Sequence, residues 1–176
     1  WDVFWHIRMG LDFLHKGKGL FTNEISYVMQ GMPLKNPYVG FQLSMGMVYD
    51  LFGWPGLKLL RVLSAGLSLY FLARYAKPWG GARTWVFVLA SSFVVSSILW
   101  RSMLRPEIWM GPLILASVLV VRSLQASDSW RPRGLAFLIG VLWWNFSTGE
   151  PFFYMIFGAY WLDQFLRVLR SGDSAM

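Results

Sequence analysis

The sequence predicts an all-α polytopic membrane protein, with outer-face amphipathic helices followed by about five transmembrane helices. Three observations predict it. Hydrophobic residues fill 56% of the 176 positions and charged residues only 14%, against roughly 25% charged in a soluble domain. The apolar residues come in long runs separated by short, mostly basic connections. The chain also holds 11 Trp, 14 Phe and 7 Tyr, which suits a protein with two membrane–water boundaries to populate. The basic residues behind the net charge of +7 lie between apolar runs. There, orientation in a bilayer and anionic lipid headgroups account for them better than nucleic acid does. With no Cys in the chain, disulfides and thiolate metal sites are excluded.

Each element has its own warrant. Over residues 1–15, Val3, Phe4, Ile7, Leu11 and Leu14 share one face of a helical wheel, and Asp2, His6, Arg8, Asp12 and Lys16 the other. A helix of that pattern lies along an interface and does not cross it. Gly17 and Gly19 end it, and residues 20–37 read as a loop punctuated by Gly31, Pro33 and Pro37. Residues 38–52 read as a second short helix, closed by Gly53-Trp54-Pro55-Gly56. Transmembrane spans are expected near 57–76, 84–100, 108–121, 135–146 and 152–166. Pro151 suits a first helical turn, where its missing N–H does no harm. One crossing through residues 145–150 would bury Glu150 at roughly 2.5–3.5 kcal/mol or more, so two helices meeting at a surface turn are expected there. The chain then forms a single domain, with an outer-face region at 1–55 and a transmembrane region at 56–171. It opens inside an amphipathic segment without an initiating Met, and further residues of a longer chain are expected around it.

Orientation follows from the short loops. Arg74, Lys77, Arg83, Arg122, Arg131, Arg133, Arg167 and Arg170 fall on one side, and Arg101 and Arg105 on the other. The richer side is expected in the cytoplasm. That places residues 1–55, the 101–107 loop and the 145–150 turn together on the outer face.

Three polar groups from distant parts of the chain would then meet: Asp2 with His6; Arg101, Arg105 and Glu107; and Asn145, Ser147 and Glu150. Arginine clamps phosphate, and a carboxylate takes a proton from an attacking hydroxyl or amine. Plainer roles stand beside these. Asp2 also suits the positive end of a helix, Arg101 and Arg105 can snorkel to headgroups, and Asn145 and Ser147 can cap a helix end. His6 on a polar face is more often a hydrogen-bonded side chain than a metal ligand. Two His and no Cys argue against a His-rich metal site, and no phosphate-binding Gly-rich loop, nucleophile elbow or zinc motif is present.

The segment Asp2-Val3-Phe4-Trp5-His6-Ile7-Arg8-Met9-Gly10 resembles the Asp-x-x-Trp-His-x-Arg-x-Gly pattern of bacterial membrane glycosyltransferases of the C superfamily. These are relatives of the protein O-mannosyltransferases and the lipid A aminoarabinose transferases. Phe21-Thr22, Gly31-Met32-Pro33-Leu34-Lys35-Asn36 and Leu51-Phe52-Gly53-Trp54-Pro55-Gly56-Leu57 follow in the family's order. Arg105-Pro106-Glu107 resembles its Arg-Pro element. Trp144-Asn145-Phe146-Ser147-Thr148-Gly149 resembles its Trp-x-Asn-x-His-Gly element, with Ser147 in the place of His.

The resemblance implies sugar transfer from a polyprenyl-phosphate carrier to an acceptor at the outer face of a bacterial plasma membrane. It implies Asp2 as catalytic base, Arg105 at the lipid phosphate and Asn145 in the same cavity; together with the expected topology, His6, Arg8, Arg101, Glu107 and Glu150 complete the substrate-binding candidates. The implied partners are membrane lipids and the lipid-linked sugar, with other membrane subunits possible. No cofactor follows firmly beyond the donor, though a divalent metal is compatible with the family. The short chain and Ser147 motivate the alternative, a non-catalytic helical subunit of a larger membrane assembly.

Overall fold

The computed structural model describes residues 2–17, 20–22, 28, 31–33, 36–77, 90–91, 104–127, 129–146 and 150–173, with the side chains of Asp2, Glu150 and 171–173 outside that description. Among these residues the architecture is all-helical. Five α-helices follow in order: α1 Asp2–Lys16, α2 Val39–Ala76, α3 Met110–Ala126, α4 Trp130–Phe146 and α5 Glu150–Asp173, with a 3₁₀ turn, Pro106–Trp109, leading into α3.

Glycine ends or breaks the first two helices. Gly17 takes φ 67°, and its N–H donates to Phe13 O at 2.9 Å. This is a left-handed cap that needs a residue without Cβ. Gly53 takes φ 59° and ψ −150° inside α2, a backbone region open essentially to Gly alone. It divides α2 into two helical segments, and Pro55 falls in the first turn of the second, where no backbone bond is lost. The start of α2 is set by Asn36, whose Oδ1 accepts the Tyr38 N–H at 3.0 Å; such Asx turns are a common prelude to a helix.

α1 and the first segment of α2 run parallel. His6 meets Gln42, Gly10 meets Gly46 and His15 meets Asp50, so the order of contacts rises together on both helices. Parallel neighbours need a return connection, which residues 17–38 supply. Leu20, 1% exposed, is pinned on the way back by Asn36 Nδ2 donating to its carbonyl at 2.9 Å. Thr22 and Pro33 form an isolated antiparallel bridge in the same return.

The buried face of α1 differs from the one the wheel suggests. His6, Ile7, Met9 and Gly10 are buried, while Phe4 is 65% and Leu14 41% exposed. The reason is the close approach at Gly10. A Cβ there would stand 2.9 Å from Gly46 Cα, and one on Gly46 would stand 2.6 Å from the Gly10 carbonyl carbon. Two glycines let the backbones touch, and the helix turns Gly10, not its largest apolar residues, toward α2.

The outward face of α1 carries a charge cluster. Asp12 accepts from Arg8 Nε at 2.7 Å and from Lys16 Nζ at 2.8 Å. Burial by itself pushes the Asp12 carboxyl up. Hydrogen bonds from Lys16 and Arg8, with their positive charges, outweigh it and hold the group below its usual 3.8. A depressed folded-state pKa adds stability above pH 3.8 that is lost as pH falls through the lower folded value. Asp12→Asn should therefore lower helix stability by about 0.5–1 kcal/mol at pH 7, as two i,i+4 pairs would. The gap between variant and wild type should close in the pH range below 3.8. Thermal melts followed by circular dichroism at both pH values check this; a gap that persisted in acid would refute it.

Two cores organise the rest. Ile7, Phe41, Met45, Leu57, Leu104 and Ile108 form one, joining α1, both segments of α2 and the 3₁₀ turn. Leu113, Val120, Ile139, Trp143 and Phe157 form the other, joining α3, α4 and α5. Between α2 and α3 the seam is small and polar. Ser64 Oγ donates to the Ile108 carbonyl, Ser68 Oγ to Ser64 O at 2.9 Å, and a Cβ on Gly111 would stand 2.9 Å from Ser68 Oγ. Small residues of this kind let helices approach closely in a lipid environment, where apolar burial alone does not drive association.

Two helices among the described residues are long and apolar enough to cross a membrane, Val39–Ala76 and Pro106–Ala126. The expectation of about five spans is corrected on that point. α4 has 17 residues with Arg131 and Arg133 in its first turn; it would reach about 26 Å, short of a hydrocarbon core of about 30 Å. α5 is longer, running from Glu150 to Asp173, but only residues 151–162 lie between its charges Glu150 and Asp163. The span expected near 84–100 lies outside the described residues apart from positions 90–91. α4 and α5 are separate helices, ending at Phe146 and starting at Glu150, with Pro151 in the first turn. Large apolar side chains remain exposed on the outer surfaces of α2, α4 and α5, among them Leu59, Val62, Phe137, Trp144, Trp161 and Phe165. Surfaces of this kind face lipid or partner helices.

Candidate functional site

The first core is where the sequence-distant polar segments meet. Val3 and Ile7 bring α1 to it, Leu104, Ile108 and Trp109 bring the 3₁₀ turn, and Phe146 brings the end of α4. Trp109 and Phe146 meet edge to face at 5.8 Å. On the other flank, Gly40 leaves room for that end of α4: a Cβ there would stand 2.8 Å from the Phe146 ring and 2.9 Å from Asn145 Cβ. Thus the backbone of α1 at positions 3–7, Arg105 to Glu107, and Asn145 border one apolar cluster, though about 40 to 140 positions separate them in the chain.

Five of the eight expected site residues have described side chains, His6, Arg8, Arg105, Glu107 and Asn145. Asp2 begins α1 and Glu150 begins α5, their side chains lying outside the described residues, as does Arg101 altogether. Arg105 is exposed in extended backbone before the 3₁₀ turn, and its carbonyl accepts the Ile108 N–H at 3.1 Å. Asn145 uses Nδ2 on its own helix, donating to Val141 O at 2.8 Å. Its side chain lines a cavity of about 380 Å³ between α4 and α5, walled by Trp144, Phe153 and Tyr154. Arg8 points to the solvated side and is engaged with Asp12.

His6 sits where the wheel does not put it. It is 3% exposed, edge-on to Tyr38 at 5.5 Å and Phe41 at 5.0 Å. Asn36 orients its polar contact. Asn36 Oδ1 takes the Tyr38 N–H and Nδ2 donates to Leu20 O, which fixes the amide. The same Nδ2 donates to Gln42 Oε1 at 2.6 Å. Gln42 Nε2 must then face His6 Nδ1, at 3.3 Å, and Met9 Sδ, at 3.4 Å. An amide nitrogen only donates, so Nδ1 is the acceptor and the ring proton is assigned to Nε2. In this arrangement His6 positions α1 on α2.

Gln42 and Asn36 are the residues that sequence reasoning passed over. Gln42 is fully buried, and an amide is costly in an apolar helix face unless paired. A lone Gln inside Val39-Gly40-Phe41-Gln42-Leu43 was the available signal.

The 3₁₀ turn holds a second unexpected feature. Among the described residues, Glu107 Oε2 and Trp109 Nε1 are each buried and have no hydrogen-bond partner. An acceptor and a donor orphaned within one short turn, beside the meeting point of the polar segments, are the kind of groups a bound ligand satisfies. Among the described residues no three His, Asp or Glu are gathered as a ligand set for a metal ion.

No family model, no curated protein and no solved structure matches the chain.

Proposed function

We propose that the chain is part of a membrane glycosyltransferase of the C-superfamily type, moving a sugar from a polyprenyl-phosphate carrier to an acceptor at the outer face of a bacterial plasma membrane. The observation that carries this proposal is the assembly of the start of α1, the Arg105–Glu107 segment and Asn145 around one apolar cluster. Those are the segments that carry the family resemblance. The unsatisfied Glu107 Oε2 and Trp109 Nε1 support a ligand at that place.

In this proposal Asp2 takes the proton of the acceptor hydroxyl or amine as that group attacks the anomeric carbon. The bond from that carbon to the phosphate oxygen breaks, and the phosphate leaves with its electron pair. Arg105, with Arg101, holds the leaving group, and stabilising its charge is the largest contribution expected. Glu107 and Asn145 offer hydrogen bonds to the sugar. The test is transfer from a radiolabelled polyprenyl-phosphate sugar by the full protein and by Asp2→Asn. Loss of a general base should lower the rate about 100-fold or more; equal rates would remove Asp2 from that role.

A second reading, a non-catalytic subunit of a larger membrane assembly, is favoured by the exposed aromatic surface of α4 and α5, with Trp144 62% and Trp161 69% exposed. It predicts no transfer by the wild type and co-purification with a partner in mild detergent.

A further inference from the structure

An elongated apolar slot of about 530 Å³ lies between the second segment of α2, α3 and α4. It shares Trp109 and Phe146 with the meeting point described above and extends from there along α3. Leu67, Tyr70, Phe71 and Arg74 line it from α2 at i, i+3, i+4 and i+7, the spacing of one helix face. Along α3 it runs from Pro112 to Ser123, which at 1.5 Å per residue is about 16 Å. That length is roughly half of a 30 Å hydrocarbon core, the depth of one leaflet.

The two ends differ in chemistry. Trp109 and Phe146 close one end. Arg74, Ser123 and Leu135 line the other end; Arg74 is exposed and has no ion-pair partner among the described residues. Arg122 stands at the same end, where Nη1 donates to Tyr75 O at 3.2 Å and the guanidinium lies 5.1 Å over the Tyr75 ring. The slot is apolar along its length and cationic at one mouth, and it is walled by the two helices that can span a membrane.

We propose that this slot holds one acyl chain of an anionic glycerophospholipid, with the headgroup phosphate on Arg74. The proposal rests on the membrane placement of α2 and α3 and is independent of sugar transfer. Length selects a single-leaflet chain, the lining selects hydrocarbon, and Arg74 selects the anionic headgroup over a zwitterionic one. The chemistry at Arg74 is that of a resident lipid at the end of the bundle away from Arg105.

The test is native mass spectrometry of the full protein released from vesicles of equimolar dipalmitoyl phosphatidylglycerol and phosphatidylcholine. Wild type should retain one phosphatidylglycerol in preference by about fivefold, the effect of one Arg at an anionic surface. Arg74→Gln should bring that preference to parity while still retaining lipid. Ala116→Trp, which fills the slot, should lose both lipids, with far-ultraviolet circular dichroism confirming that the helices persist. Equal retention of the two lipids by wild type, undiminished retention by Ala116→Trp, or a dimer that Ala116→Trp abolishes would each overturn the proposal; the last would assign the slot to a second copy. Flotation of the same protein with vesicles after a carbonate wash separates the premise from the proposal. A protein that does not float refutes the membrane placement itself, whereas one that floats and shows no slot-dependent retention refutes only the lipid site.

Discussion

Gly46→Leu should undock α1 from α2. The Cβ of any residue at 46 meets the Gly10 backbone, at 2.6 Å from its carbonyl carbon and 2.8 Å from its Cα. Backbone atoms cannot step aside by changing rotamer, so the helices must separate, and the cost belongs at or above the upper end of the 1–3 kcal/mol typical of overpacking. Separation exposes His6, Met9 and Gln42, whose hydrogen bonds are made across that interface. The chain has no Cys, so Met9→Cys, at a position 2% exposed, supplies a single reporter thiol. Maleimide labelling of that thiol should be slow in the otherwise native protein. It should rise roughly 100-fold with Gly46→Leu, the equivalent of about 3 kcal/mol of local opening. Gly66→Leu provides the control, because nothing lies within 4 Å of a Cβ at that position. Equal labelling of the two leucine variants would show that the glycine contact does not hold the pair together.

Trp143→Ala should produce the largest loss in the second core. Trp143 is 1% exposed and central among Leu113, Val120, Ile139 and Phe157. Its indole N–H donates to Ser117 Oγ at 3.2 Å, and Ser117 Oγ in turn donates to Leu113 O at 2.8 Å. Truncation leaves a cavity between α3, α4 and α5, for which about 3–5 kcal/mol is the usual loss. Trp143→Phe keeps most of the volume and removes only the N–H. Ser117 retains its own acceptor, so that variant should lose about 1 kcal/mol. Unfolding in a mixed-micelle denaturant series would rank the two. An alanine variant as stable as the phenylalanine one would mean that the cavity collapses.

The glycines that break helices were legible because the conformations they adopt admit almost no other residue. Gly17 ends α1 and Gly53 divides α2 at the expected places, with positive φ at both. The inward face of α1 was not legible. A helical wheel ranks Phe4 and Leu14 above His6, and no single-chain pattern reveals that Gly10 will meet a second glycine 36 positions on. The same blindness hid Gln42, whose partners come from α1 and from the loop before α2. Span number was misread for another reason. The run at 135–146 lies in a helix of only 17 residues, and the run at 152–166 is interrupted by Asp163 and Gln164. Loop charge put the start of α1, Arg105–Glu107 and Asn145 on one face of a bilayer; the first core brings Val3, Ile7, Leu104, Ile108 and Phe146 together by apolar packing alone.

The break at Gly53 interrupts the backbone but not the packing, and this sets the order in which the protein can be completed during synthesis. Leu57 beyond the break shares a core with Ile7, Phe41 and Met45 before it, and Trp54 lies edge-on to both Phe4 and Tyr49 at 5.6 and 5.5 Å. Leu104 and Ile108 close the same core. When Gly53 leaves the ribosome, the parallel helix pair has already been made but its remaining wall has not. At about 5–20 residues per second, Ile108 follows roughly 3–11 s later. Through that interval Ile7, Phe41 and Met45 lack the partners from Leu104 and Ile108. Residues 2–50 are therefore made well before the segment that completes their packing.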